Sequence, residues 1–170
     1  MDTTCADSAA TDEALMAAVS ASDRRAFDVL FARWRDPIWK FLLRRLGSAA
    51  VADDAFQDTW ARVWRFRASY DPKRAFRAWV YTLAANAGRD QWSRPVPEDF
   101  AEDLVDDRDR VGAKLTLLKA LFALEGLDRT ILLLVAEGFE PSEIAPIVGM
   151  DAGAVRTRLS RARQKIRELV

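Results

Sequence analysis

The sequence predicts an all-α chain: two small helical domains joined by a flexible acidic linker, the second domain carrying a helix-turn-helix. Three observations predict it. Apolar residues recur at three- and four-residue steps along most of the chain, and no stretch alternates convincingly with period two. Charge is sorted although the net charge is zero: residues 1–94 hold 15 basic and 12 acidic side chains, residues 95–110 hold 2 and 7, and residues 111–170 hold 9 and 7. All six tryptophans precede the acidic stretch, which points to two separate cores. The expected divisions are a mobile tail over 1–13, a helical domain over 14–94, a linker over 95–110 and a helix-turn-helix domain over 111–170.

Composition narrows the function classes. Half of the 170 residues are hydrophobic, which excludes wholesale disorder. No apolar run approaches the roughly 20 residues that span a bilayer, so no membrane insertion is expected. The acidic N-terminus, Met1 to Ala14, has no secretory pattern. The lone Cys5 fits a reducing, cytoplasmic location and reads as an inert residue of the tail. There is no histidine, which removes the commonest general base, the usual nucleophile–base dyads and nearly every ordinary zinc site. Composition alone leaves a carboxylate- or lysine-based enzyme open. No nucleophile, metal cluster or phosphate loop asks for one, so no catalytic activity, metal or cofactor is expected.

The elements follow in order. Phe27, Leu30, Trp34, Ile38, Leu42 and Leu46 form a stripe that Gly47 closes; Pro37 inside it predicts two helices or one kinked helix. Val51, Ala55, Phe56, Thr59, Trp60, Val63 and Trp64 form a second stripe. Asp53, Asp54, Gln57, Asp58 and Arg62 occupy the polar remainder of that helix. A turn over 69–73 leads to a third stripe, Phe76, Trp79, Val80, Leu83 and Ala87, reaching about Trp92. Two prolines and seven carboxylates then mark the linker. Beyond it Leu115, Leu118 and Leu121 open a helix. Asp128 is the expected N-cap of the next, which Gly138 ends. Ser142 is the expected cap of a short helix containing Ile144, Ile147 and Val148. Asp151 caps the last helix after a Gly149 turn.

That last helix carries the functional signal. A short helix, a glycine turn and a helix with one apolar line and a basic remainder is a helix-turn-helix arrangement. At 100° per residue, Val155, Leu159, Ala162, Ile166 and Leu169 share one line. Thr157, Ser160 and Arg161 point away from it, with Arg156 and Arg158 on the shoulders and Arg163 nearer the edge. Arginine forks suit guanine edges, and short hydroxyls suit close approach to bases or phosphates. A basic helix without the preceding short helix and turn would read equally well as a solvated face.

These residues resemble a known family. Glu143-Ile144-Ala145 through Gly149-Met150, followed by Gly153 to Arg163, resembles region 4 of the extracytoplasmic-function (group IV) sigma factors of RNA polymerase. Asp53 to Trp64 resembles region 2.2, and Phe76 to Asn86 resembles the promoter-reading helix that follows. The likeness covers about 14–94 and 111–170, in the family's order.

The resemblance implies a transcription initiation factor that brings core RNA polymerase to −35 and −10 promoter elements, aids −10 strand opening, and is held inactive by an anti-sigma factor. It implies −35 contacts from Arg156, Thr157, Arg158, Ser160, Arg161 and Arg163. It implies −10 contacts from Arg74, Phe76, Trp79, Asn86 and Arg89, with Phe76 and the loop Tyr70 to Arg74 facing DNA and Tyr81 a further candidate ring. For Trp79, which lies on the apolar line, core packing competes with this role. It implies polymerase docking through Asp53, Asp54, Gln57, Asp58 and Arg62. Ala85 stands where the family commonly has arginine, and Met150-Asp151 replaces the more usual Ile-Ser, so the promoter sequence is left open. Two alternatives stay open: a polymerase-independent helix-turn-helix regulator, and a sigma mimic that titrates an anti-sigma factor.

Overall fold

A computed structural model describes residues 10–87 and 111–170, with side chains from residue 116 onward in the second stretch. Cys5, Arg89, Trp92 and the expected 95–110 linker lie outside the described residues. All regular structure among the described residues is helical.

Helix α1, Asp12–Ser20, begins inside the expected tail. Thr11 caps it by accepting from the Ala14 N–H at 3.2 Å. Its first carboxylates reach across the fold. Asp12 accepts from Arg33 and from the Trp34 indole, both at 2.9 Å, and Glu13 accepts from the Phe76 N–H at 3.0 Å. Asp23 then caps α2, Arg24–Leu46, through the N–H groups of Arg25 and Ala26. The stripe resolves as one helix in spite of Pro37. Leu30, Ile38, Phe41 and Leu42 are all fully buried on its two sides, and this shared core outweighs one missing helical hydrogen bond. Gly47 ends α2 at φ 72°, a left-handed conformation that glycine adopts without a Cβ penalty.

Helix α3, Ala49–Arg65, returns along α2. Trp60 is its anchor, meeting Phe27, Phe31 and Phe56 edge-on with ring centroids 5.8, 4.9 and 6.2 Å away. A 3-10 turn, Arg67–Ser69, and a short loop lead to α4, Phe76–Asn86.

The second module is built from α5, Val111–Phe122, α6, Gly126–Ala136, α7, Pro141–Val148, and α8, Ala152–Leu169. Two capping expectations are corrected. Asp128 lies in the first turn of α6, behind the boundary residue Glu125, and its carboxylate accepts from Arg158 and makes no cap hydrogen bond. Ser142 lies inside α7: Pro141 takes the first helical position, and the Glu140 N–H donates to the Glu143 carboxylate at 2.8 Å. Pro146 leaves α7 short but intact. Gly149 turns the chain at φ 73°, and Asp151 caps α8 through the Ala154 N–H at 2.8 Å.

The expectation of two separate cores is also corrected. Buried apolar residues run continuously from Leu15 in α1 to Ala162 in α8. The modules meet where α2 and α4 pack against α6 and α7. Much of that junction is polar. Arg45 and Arg129 are both buried there: Arg45 donates to the Thr130 hydroxyl, Arg129 donates to the Arg45 carbonyl, and Glu137 accepts from the Tyr81 hydroxyl and pairs with Arg44. Arg77 donates to the Glu137 carbonyl and stacks on Phe139.

Candidate nucleic-acid interface

Helix α8 sits on the module through Val155, Leu159 and Ala162, all buried. That seating holds Arg156, Thr157, Ser160, Arg161 and Arg163 outward and exposed, in agreement with the expected facing. The Thr157 hydroxyl donates to the Gly153 carbonyl at 3.1 Å, so outward it offers an oxygen acceptor. Arg156, Ser160, Arg163 and Arg167 border one hollow of about 350 Å³ beside Pro141, at the start of α7. Three guanidiniums around one opening next to a helix N-terminus make a surface of positive potential suited to phosphates.

Arg158 departs from the expectation. Its guanidinium turns back onto α6, 2.6 Å from Asp128 and 3.8 Å from Glu125. The hydrogen bond to Asp128 raises its already high pKa further. A helical position on the shoulder is within reach of a neighbouring helix, and the carboxylates of α6 capture it there.

The first module distributes its candidates unevenly. Arg74 is exposed, and Trp79 and Asn86 are half-buried. Trp79 lies edge-on to Tyr70 at 5.1 Å. Phe76 does not face outward. It is fully buried, with Trp34 and Trp79 at 6.1 Å and Tyr70 at 6.4 Å. Its position at the start of α4, with its N–H held by Glu13, aims the ring inward. Tyr70 is buried too, and burial pushes its phenol up to about 12. Residues 71–75 of the loop remain exposed. Tyr81 is buried at the junction with its hydroxyl on Glu137 at 2.8 Å, which together with desolvation raises its pKa.

On α3, Asp53, Asp54 and Gln57 are exposed, and Asp58 pairs with Arg62 at 2.8 Å along the helix surface. Asp53 accepts from the Trp39 indole at 2.7 Å. An acidic-polar face thus stands on a rigid aromatic base. Its surface ion pair adds little to stability.

Sequence reading missed Arg45 and Arg129. Arg45 continues the line of Ile38 and Leu42, and Arg129 that of Leu133; a charge on an apolar line was the available signal. Their partners, 84 and 85 residues away, were not legible.

Comparison with known proteins agrees with this geometry. The Sigma-70 region 2 family matches residues 30–95, and the Sigma-70, region 4 family matches residues 114–166. The RNA polymerase sigma factor CarQ of Myxococcus xanthus is 35% identical over 156 residues, covering 85% of this chain and 89% of CarQ. The ECF RNA polymerase sigma-E factor of Haemophilus influenzae is 30% identical, covering 92% and 93%. The solved structure of CnrH in complex with the cytosolic domain of CnrY superposes with a TM-score of 0.74 at 27% identity, covering 93% of this chain and 96% of that one. With both regions matched in order and relatives aligned along nearly their whole length, the chain belongs to the extracytoplasmic-function RNA polymerase sigma factors.

Proposed function

We propose that the chain directs core RNA polymerase to promoters through three separate surfaces. The observation that carries this reading is the outward basic face of α8, held on a buried apolar seat, in the same molecule as the exposed carboxylates of α3. Arg156, Thr157, Ser160 and Arg161 read −35 bases and Arg163 meets phosphate. Arg74, Trp79 and Asn86 serve the −10 element, where an aromatic edge and an amide suit an unpaired base. Asp53, Asp54, Gln57 and Asp58 dock on a basic polymerase surface, an orienting contact between complementary charges. The chain acts in the cytoplasm, where polymerase is, with no catalytic step of its own.

An anti-sigma factor holds the chain inactive in this reading. CnrH was solved with a second protein bound, the cytosolic domain of CnrY. In this chain Leu117, Leu118, Leu121, Leu132 and Ile166 line an apolar hollow of about 300 Å³ with Arg44 on its border. Such a groove accepts the apolar side of a partner helix.

Run-off transcription with purified core polymerase tests the function. Transcripts that begin at defined promoters and require the chain are the expected result. Duplex binding by the chain alone, with no effect on polymerase, would favour a polymerase-independent regulator instead.

A further inference from the structure

We propose that Arg45 is a positioning residue for −10 reading, and that its hydrogen bond to Thr130 couples the end of α4 to the docking of the helix-turn-helix module. The inference rests on the sigma reading above. A helix C-terminus leaves its last carbonyls without intrahelical partners. At the end of α4 the carbonyls concerned belong to Ala84, Ala85 and the C-cap Ala87, whose methyl side chains carry no donor. Arg45, reaching over from α2, supplies the donors: Nη1 to the carbonyls of Ala84 at 3.2 Å and Ala87 at 2.7 Å, and Nη2 to Ala85 at 2.6 Å. The planar fork of arginine suits this task, and its charge meets the negative end of the helix.

Those carbonyls flank Asn86. The backbone of Asn86 is therefore gripped from both sides while its side chain stays half-buried. Asn86 lies seven residues beyond Trp79, so both fall on one face of α4. Holding that turn holds the proposed −10 side chains in place.

The remaining bond leaves the module. Arg45 Nε donates to Thr130 Oγ1 in α6 at 3.0 Å, and Arg129 Nη1 donates back to the Arg45 carbonyl at 2.8 Å. Arg45 is fully buried and Thr130 1% exposed, so both bonds need the modules docked. Docked modules cannot read both elements. Sites about 25 base pairs apart at about 3.4 Å per pair are separated by about 85 Å along DNA, whereas α4 packs directly on α7. The modules must part for promoter binding. Parting strips Thr130 from Arg45 but leaves the three carbonyls at the end of α4, those of Ala84, Ala85 and the C-cap Ala87, which belong to the same module.

The test uses the full chain with core polymerase, on a promoter selected by the unaltered holoenzyme from a random library. If the unaltered holoenzyme selects no promoter, the sigma reading falls and this inference with it. With that control met, the outcomes concern Arg45. Arg45→Lys and Arg45→Met should each lower −10 strand opening, read by 2-aminopurine fluorescence, by about tenfold and flatten −10 base preference. Core affinity and −35 preference should be unchanged. Opening by Arg45→Lys equal to the unaltered chain would overturn the positioning role, since a single ammonium cannot replace the fork. A parallel loss of core affinity would overturn it too, as a general fold defect. Should Arg45→Met fail to fold, Arg45→Lys and Thr130→Val decide. Thr130→Val should leave −10 opening by holoenzyme unchanged. In the free chain, spin labels at Ala68→Cys and Gln164→Cys, in a Cys5→Ser background, should show about tenfold more parted molecules. An unaltered distance distribution would overturn the coupling.

Discussion

The Arg158 guanidinium lies 2.6 Å from the Asp128 carboxylate, tying α8 to α6, the helix two elements before it. Asp128 is mostly buried and Arg158 about one-third exposed, so the pair is partly shielded from solvent. Arg158 thereby helps fix where α8 sits; in the reading proposed above, its exposed neighbours make the base contacts.

Arg158→Ala should therefore destabilise the chain by about 1 kcal/mol, a value at the upper end for ion pairs that still touch water. It should weaken promoter binding without changing base preference. Thermal unfolding together with a promoter-library selection checks both. A relaxed −35 position with unchanged stability would make Arg158 a reader after all.

Arg161 and Arg163 should separate cleanly. Arg161→Ala is expected to cost about 1–3 kcal/mol at one −35 base pair and to relax preference there. Arg163→Ala is expected to weaken all sequences alike and to reduce the salt slope by about one unit. Holoenzyme binding across a promoter library at several salt concentrations measures both. Uniform losses from both substitutions would show that the facing of α8 is misassigned.

The carboxylates of α3 should govern polymerase docking. Asp54→Lys with Asp58→Lys should abolish association with core polymerase, read by co-purification, while circular dichroism shows unchanged helix content. The lost Asp58–Arg62 pair is exposed and contributes little. Normal co-purification would remove α3 as the docking surface.

Alkaline titration should weaken the junction between the modules at Tyr81. Burial and the hydrogen bond to Glu137 raise the Tyr81 pKa above the ordinary phenol value of 10. A raised folded-state pKa gives stability that is complete below 10 and lost as pH rises toward the folded value. Arg129 acts in the opposite sense, since burial lowers it to about 10. Comparison with Tyr81→Phe isolates the phenol. Above pH 10 the unaltered chain should lose up to about 1.4 kcal/mol per pH unit more than the variant. Parallel denaturation curves between pH 9 and 11 would show that Tyr81 does not titrate with docking.

The sequence by itself determined the helices from Phe27 onward, the two modules and the outward facing of Arg156, Thr157, Ser160, Arg161 and Arg163, but not α1. Each rests on local periodicity or on a cap or stop within a few residues, such as Gly47, Gly149 and Asp151. Periodicity reports which face of a helix is apolar, and therefore which face is free. It does not report what lies opposite. Only the tertiary structure decided that Phe76 is enclosed by Trp34 and Tyr70, that Arg158 turns to Asp128, and that Pro37 leaves α2 whole. The arginine junction is the extreme case. Arg45 and Arg129 lie where periodicity calls for apolar side chains, and they are tolerated because carbonyls at the ends of α2, α4 and α5 accept their hydrogen bonds. Those acceptors are backbone atoms, the same in every residue, so no pattern of side chains announces them.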